Sequence, residues 1–426
     1  MPFTLCLFED AAVRHLAPLA LTRAASDLRV GAWTLQQRAV HVLAGGGPAP
    51  RVVIHARSEV AGVTAEEHAD ATVGPLPPGG ALLVNARWRL RPGALADALR
   101  EAATAGGPGR AWRQGETLLA AWVPRPHPAI LHDDTIELPR GTETVSVEGE
   151  TLISRLWHLA DSVGARVAED VEAMGGLAVH AGADVQAGAI LAHPERIHLA
   201  PGATVRPGAV LNAEAGPIRL ETGATVEENA VVRGPVWLGP GASVKAAGRI
   251  DASAVGERSK VGGEVHASVV HSFSNKGHDG YLGNSYLGRW VNLGADTNTS
   301  NLKNDYGHVS LWDAVAGAFV DTERQFLGLF IGDHSKCAIN TAFNTGTVVG
   351  VACNLFGAGF LPRHVPSFTW GGADKRVEYR PAKALRVAET VMARRGLPLS
   401  DANQEMLRAV HAATADAREA DHPRHR

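Results

Sequence analysis

The sequence predicts three parts in order: an α/β domain, a parallel β-helix and a set of C-terminal helices. Three observations carry that reading. Short apolar runs alternate with helical patterns over residues 1–150. Aliphatic residues then recur every six positions over residues 177–361, a spacing that neither an α-helix nor a simple strand produces. Finally, 47 glycines and 24 prolines without a collagen triplet supply turn formers for many short strands and tight corners, while aromatics are only 5%.

The first domain, residues 1–150, reads as strands at "FTLCLF", "RVVIHA", "GALLVNA" and "TLLAAWV". Helices are expected at "GAWTLQQRAVHVL" and at "RPGALADALREA", the second opened by Pro92. Strands alternating with helices imply an α/β domain with a parallel sheet. Residues 151–176 carry Leu152, Leu156, Leu159 and Val163 at helical spacing and are expected to form a linking helix.

The six-residue series is explicit. It runs Leu220, Val226, Val232, Leu238, Val244, Ile250, and again Ile331, Cys337, Phe343, Val349, Leu355, Leu361. Shorter runs are Val179, Val185, Leu191; Leu199, Val205, Leu211; and Tyr281, Leu287, Leu293. One inward side chain per six residues is the repeat of a β-helix coil, with small residues at the corners. Each coil buries its apolar side chains only against its neighbours, so the ends need caps. The β-helical domain is placed at residues 177–370, interrupted by a loop or hairpin at about 300–330. Residues 371–426 follow as C-terminal helices and a tail. One helix covers about 382–395 and stops at Gly396, with Pro398 beyond. The next starts at Asp401 as its N-cap, and the closing "READHPRHR" is expected to fray.

Bulk properties exclude several classes. A net charge of −3 leaves no basic excess for a general nucleic-acid binder. Cys6, Cys337 and Cys353 are too few and odd in number for a disulfide framework, which points to a reducing cytoplasm. The opening "MPFTLCLFED" has no basic n-region, so no signal peptide is expected, and no apolar run is long enough to span a bilayer.

One stretch carries chemistry: "KGHDGYLGNSYLGRWVNLGADTNTSN", with Gly277-His278, Tyr281-Leu282-Gly283, Val291-Asn292-Leu293-Gly294-Ala295 and Asn301. It resembles the acetyltransferase half of the bifunctional family of UDP-N-acetylglucosamine pyrophosphorylase/glucosamine-1-phosphate N-acetyltransferases. "GEVHAS" aligns without gaps to that family's Glu-x-Lys segment, giving Glu264 but His266 in place of the lysine. The resemblance implies a left-handed β-helix, a homotrimer with the 300–330 excursion as a clamp between prisms, and acetyl-CoA as co-substrate. It implies His278 as general base, taking the proton of an attacking amine, with Glu264 to orient it. Tyr281, Asn292, His266 and Lys303 are then expected to hold the sugar phosphate or nucleotide sugar. Ala295, through its backbone N–H, and Asn301 are expected to meet acetyl-CoA. The family's lysine falls a few positions beyond Lys303. The residues also admit a structural reading, since Asn292, Asn298, Thr299 and Asn301 can form hydrogen-bonded ladders along coils.

The first domain resembles a shortened, degenerate nucleotidyltransferase. Thr22-Arg23 and "DLR" stand without the family's glycine-rich phosphate loop, so phosphate contacts would fall to Arg23 and Arg29. Where the family holds Mg²⁺ with an aspartate, "LLVNARWRL" offers Asn85, a poor magnesium ligand. Otherwise Arg23, Asp27 and Arg29 form an internal ion-pair network. Three functions therefore stand open: an acetyl-CoA-dependent N-acyltransferase, a sugar-1-phosphate nucleotidyltransferase using the β-helix as a trimerisation scaffold, and a non-enzymatic nucleotide-sugar-binding protein.

Overall fold

The first strand, Thr4–Phe8, is flanked in parallel by Arg51–His55 and Ala81–Asn85, each an apolar run buried between layers. In the computed structural model, which describes residues 2–126, 130–132 and 135–421, these strands form the centre of a seven-stranded sheet. The sheet is mixed rather than parallel. Thr117–Val123 follows Arg110–Gln114 through a tight turn in which Gly115 has φ 55°, and it pairs antiparallel with both that strand and Ala81–Asn85. A turn that short reverses the chain, and no crossover helix intervenes. Helix Leu35–Ala44 starts at a capping box, with Thr34 accepting from the Gln37 N–H and Gln37 reaching back. The second expected helix is Ala94–Ala105, capped by Gly93, so Pro92 lies just outside it, and a further helix, Ser58–Glu67, lies between the two. The linking segment is not one helix. A 3₁₀ turn at Leu156–Leu159 and helix Val163–Met174 are separated by Ser162, whose φ of 51° breaks the helical path.

From Asp184 onward the chain winds as a triangular, left-handed parallel β-helix with three faces. One ladder stacks Ile218–Leu220, Val236–Leu238, Ser253–Val255, Val269–Val270, Tyr286–Leu287 and Leu329–Ile331. A second stacks Thr225–Val226, Ser243–Val244, Lys260–Val261 and Asn275–Lys276. The third stacks Val231–Arg233, Arg249–Asp251, Glu264–His266 and Tyr281–Gly283. Both long six-step series are buried throughout. The third short series is corrected: Leu282, not Tyr281, points inward. Steps of four and five residues, such as Ile250–Val255 and Val261–Val265, interrupt the period there because corners at Ala252, Gly263 and Ala267 turn with positive φ in fewer residues. Val179 and Val185 are 42% and 38% exposed because the first coil has no coil before it.

The excursion is a hairpin of Val309–Asp313 and Ala318–Arg324. It folds back onto the first domain. Val309 and Leu311 join the core that contains Leu16, Trp88 and Leu159. His15 Nδ1 lies 2.8 Å from Asp313 Oδ2, and Arg324 pairs with Asp161 at 3.0 Å. Within the chain the excursion thus ties the β-helix to the first domain. C-terminal helices Pro381–Ala393 and Asp401–Ala413 pack Ala388, Leu407 and Val410 against Val60 and Val63 of the first domain and Val351 of the last coils. Ser400, not Asp401, is the N-cap, its hydroxyl accepting from the Asn403 N–H. The start of the tail expected to fray is ordered: Ala415–Asp421 is helical, and Asp421 holds Arg376 at 2.8 Å. Residues 422–426 of that tail lie outside the described ones. Among the described residues no helix is long and apolar enough to cross a membrane.

The Thr22–Arg29 segment closes the seam between first domain and β-helix. Arg23 pairs with Asp333, whose carboxylate also accepts from Thr22 Oγ1 at 2.9 Å. The Arg29 N–H donates to the Tyr286 hydroxyl at 3.0 Å, and His271 Nε2 lies 2.9 Å from the Asp27 carbonyl. Breaking one partner of a buried pair leaves the other charge uncompensated. Asp333→Ala is therefore expected to lower unfolding free energy by about 3–5 kcal/mol in urea; a loss within the range of surface substitutions would show that the seam is not a stability determinant.

Candidate active site

His278 sits at the prism edge between the second and third faces. Its corner, residues 277–280, leads from Asn275–Lys276 on one face to Tyr281–Gly283 on the other. Coils stack so closely here that only glycine fits at Gly263, where φ is +64° and a Cβ would lie 2.9 Å from the His278 carbonyl oxygen. The next coil turns at the same edge through Gly294 and Ala295, and the Asp296 N–H donates to the Asp279 carbonyl at 3.1 Å. The edge therefore presents an exposed imidazole with Ala295 one coil along.

Sequence reasoning missed what holds this corner. Lys276 occupies an inward position, in register with Val261, and is buried in the β-helix core. Its Nζ donates to three backbone carbonyls: Gly262 at 3.0 Å, His278 at 2.5 Å and Asp279 at 3.1 Å. Burial draws its pKa down to about 8, opposed by Asp279 and Asp296. The ammonium thereby fixes the backbone that carries His278. The signal was present: Val270, Lys276 and Leu282 are six apart, and a lysine in an apolar series marks a buried cation.

The third face gathers Glu264, His266, Tyr281 and Asn301. Glu264 stacks beside Tyr281 and His266 beside Gly283. The absence of a side chain at Gly283 leaves the space over which the Tyr281 phenol lies. Asn301 Nδ2 donates to the Tyr281 hydroxyl at 3.0 Å and to Asn284 Oδ1 at 2.7 Å, so Asn301 supports the tyrosine. The Glu264 carboxylate pairs with Arg249 at 2.8 Å, an exposed contact, rather than with His278. His266 is held by Asp251, Nδ1 to Oδ1 2.8 Å. That hydrogen bond raises the His266 pKa above the ordinary histidine value, which favours the protonated ring where the family pattern has lysine. Arg249 and Asp251 were invisible to motif reading because they come from the preceding coil, 15 residues earlier in register.

Asn292 lies on the second face, bridged between the coils of Asn275 and Lys336. It flanks the His278 edge from the opposite side to Tyr281. Lys303 stands apart at the base of the hairpin, 3.2 Å from Asp305 and 3.3 Å from the His308 carbonyl. Arg23 and Arg29 do not form a network with Asp27. Arg23 is committed to Asp333, while Arg29 bonds the Ala32 carbonyl and lies 4.5 Å over the Trp237 ring. The position expected for a magnesium ligand does not fit one: Asn85 Nδ2 donates to Asp10 at 2.8 Å, and Asp10 is already held by Arg87 at 2.7 Å.

Lys276→Met, which keeps length and removes charge, is expected to melt at or above the parent temperature, whereas Lys276→Ala should cost about 2–5 kcal/mol through the cavity it leaves. A second expectation concerns His266. Because its folded value is raised, the stabilising pair is complete on the acid side and is lost as pH rises through that value. An NMR titration should therefore show its midpoint falling in Asp251→Asn; an unchanged midpoint would remove Asp251 as the cause.

Comparison with known proteins agrees with this organisation. Residues 5–176 match the family described as sugar nucleotidyl transferase. A bifunctional sugar-1-phosphate nucleotidylyltransferase/acetyltransferase from Sulfurisphaera tokodaii is 32% identical over 111 residues, 26% of this chain and 27% of that one. Bifunctional GlmU proteins match from Nitratidesulfovibrio vulgaris, 26% identical over 39% of this chain and 38% of theirs, and from Thermus thermophilus, 37% identical over 25% and 27%. The chain thus aligns with well under half the length of these relatives. The solved UDP-N-acetylglucosamine acyltransferase from Campylobacter jejuni aligns at 9% identity over 53% of this chain and 95% of that one, with a TM-score of 0.29, too loose to carry an argument. Residues 5–176 thus resemble the sugar nucleotidyl transferase family, and the chain is similar over part of its length to the bifunctional GlmU proteins.

Proposed function

We propose that this protein is an acetyl-CoA-dependent N-acyltransferase acting on an amino-sugar phosphate or nucleotide sugar. The observation that carries the reading is the His278 edge. An exposed imidazole projects from a corner pinned by Lys276, with Tyr281 and His266 on one flanking face and Asn292 on the other. The relatives named as acetyltransferases support the same assignment.

In this scheme the neutral imidazole of His278 accepts a proton as the amine nitrogen attacks the thioester carbonyl. The new N–C bond forms, the oxygen takes up negative charge, and the C–S bond then breaks to release coenzyme A, whose sulfur takes back a proton. The Ala295 N–H, one coil along the same edge, is the donor assigned to the developing oxyanion. His266, whose protonated form Asp251 favours, is the group assigned to the sugar phosphate, and Tyr281 orients it with Asn301 behind its hydroxyl. The proposed assembly is a homotrimer in which each edge faces a neighbouring prism; sedimentation giving a stable monomer at micromolar concentration would contradict it.

A nucleotidyl transfer reading has one observation in its favour, the family match over residues 5–176. Against it stands the absence of a glycine loop and of a carboxylate at Asn85. Mg²⁺-dependent turnover of UTP with N-acetylglucosamine 1-phosphate is expected to be weak or absent, measured as pyrophosphate release.

His278→Ala should reduce acetyl transfer by about 10²–10⁴-fold with a parent-like melting curve, because the side chain is exposed and outside the core series. Thioester consumption across a panel of amino-sugar phosphates is the assay. Equal activity in parent and variant would remove His278 from the mechanism.

A further inference from the structure

A cleft of about 530 Å³ opens between the first domain and the first face of the β-helix, away from the His278 edge. Asp27, Glu67 and His68 line one wall, while Trp237, Glu257, His271 and Arg289 come from the β-helix side. The ligand atoms of Asp27, Glu67 and His68 lie within 4.8 Å of one another, and His68 Nε2 is 2.7 Å from Asp27 Oδ1. That contact is a hydrogen bond; two donors bound to one dication at about 2.1 Å each stand roughly 3 Å apart, so an ion replacing the shared proton requires only a small widening of the pair.

Two further observations point to a cation. Asp27 is buried, and its second oxygen, Oδ2, is out of reach of water and has no hydrogen-bond partner. A carboxylate oxygen in that state is unstable unless something positive meets it. No hydrogen bond reaches it: His68 takes Oδ1, Arg23 pairs with Asp333, and Arg289, which attracts Asp27 at longer range, pairs with Glu67. Second, Glu67 is the last residue of helix Ser58–Glu67 and His68 its C-cap. The unpaired carbonyls of a helix C-terminus favour positive charge at that spot. Arg289 holds one oxygen of Glu67 and leaves the other available.

We propose that Asp27, Glu67 and His68 bind a divalent transition-metal ion at the wall of the interdomain cleft. One imidazole and two carboxylates are a mixed nitrogen–oxygen set suited to Zn²⁺ or Mn²⁺ rather than to Ca²⁺ or Mg²⁺. Three protein ligands leave at least one position for a water or ligand atom from the cleft. The site lies on different residues from Asn85, where the family resemblance would look for magnesium, and it does not depend on the acyl-transfer reading.

The test is titration of the full-length, chelator-treated protein with Zn²⁺ and, separately, Mn²⁺ by calorimetry, with bound metal counted after dialysis. One ion per chain is expected. Asp27→Asn and His68→Gln should each weaken it at least 10-fold, while Asp70→Asn, on the same cleft wall but outside the ligand set, should leave it unchanged. His68 is partly exposed, so His68→Gln keeps the test readable if Asp27→Asn fails to fold. Absence of stoichiometric binding, or binding that His68→Gln leaves intact, overturns the proposal and reduces the cluster to an ion pair.

Discussion

In-register stacking of parallel coils is the constraint on which the rest of this structure depends. Each coil offers one small set of inward side chains, and each must meet its counterpart in the coil above and below. Val226 sits on Val244, Val244 on Val261, and Val261 on Lys276. A ladder of aliphatic residues needs no comment, but the lysine does. A charge in that position survives because three carbonyls of the tightened corner, those of Gly262, His278 and Asp279, converge on it. The departure from the apolar rule thus falls at the corner that carries His278. Local rules are most often broken where a site has to be held in a fixed shape.

The second organising feature is that the domains are fused. The Thr22–Arg29 segment, which the family resemblance suggested for phosphate, spends much of its polar capacity on the β-helix through Asp333, Tyr286 and His271. The hairpin at Val309–Arg324 and the helix Asp401–Ala413 reach back in the opposite direction, onto the first domain. Three separate connections across one seam make independent domain motion costly. The Thr22–Arg29 segment also forms one wall of the cleft beside the β-helix.

Much of this architecture could be read from residues alone, because it is written in periodicity. Leu220 to Ile250 and Ile331 to Leu361 are buried as the six-step spacing requires. The period failed between Ile250 and Leu282, where positive-φ corners shorten the coils, and this is where Tyr281 was mistaken for a core residue. Motif order singled out Glu264, His266, Tyr281 and Asn301, which the fold gathers on one face, but not their partners. Coil length decides which residue lies beside which, so Asp251 next to His266 and Arg249 next to Glu264 appear only once the chain is wound. Contacts between domains, such as Arg23 with Asp333, are separated by some three hundred residues and leave no local trace.

The central claim is that the edge formed by successive corners at residues 277–280 and 294–297 is where a thioester and an amine meet. Amide hydrogen exchange in the presence and absence of acetyl-CoA tests it most directly, because it reports where the donor sits without requiring the correct acceptor sugar. Protection is expected at those two corners, with the Ala295 amide among the most slowed, and no change in the Thr22–Arg29 segment. Protection confined to the interdomain cleft, with the corners exchanging as before, would contradict it.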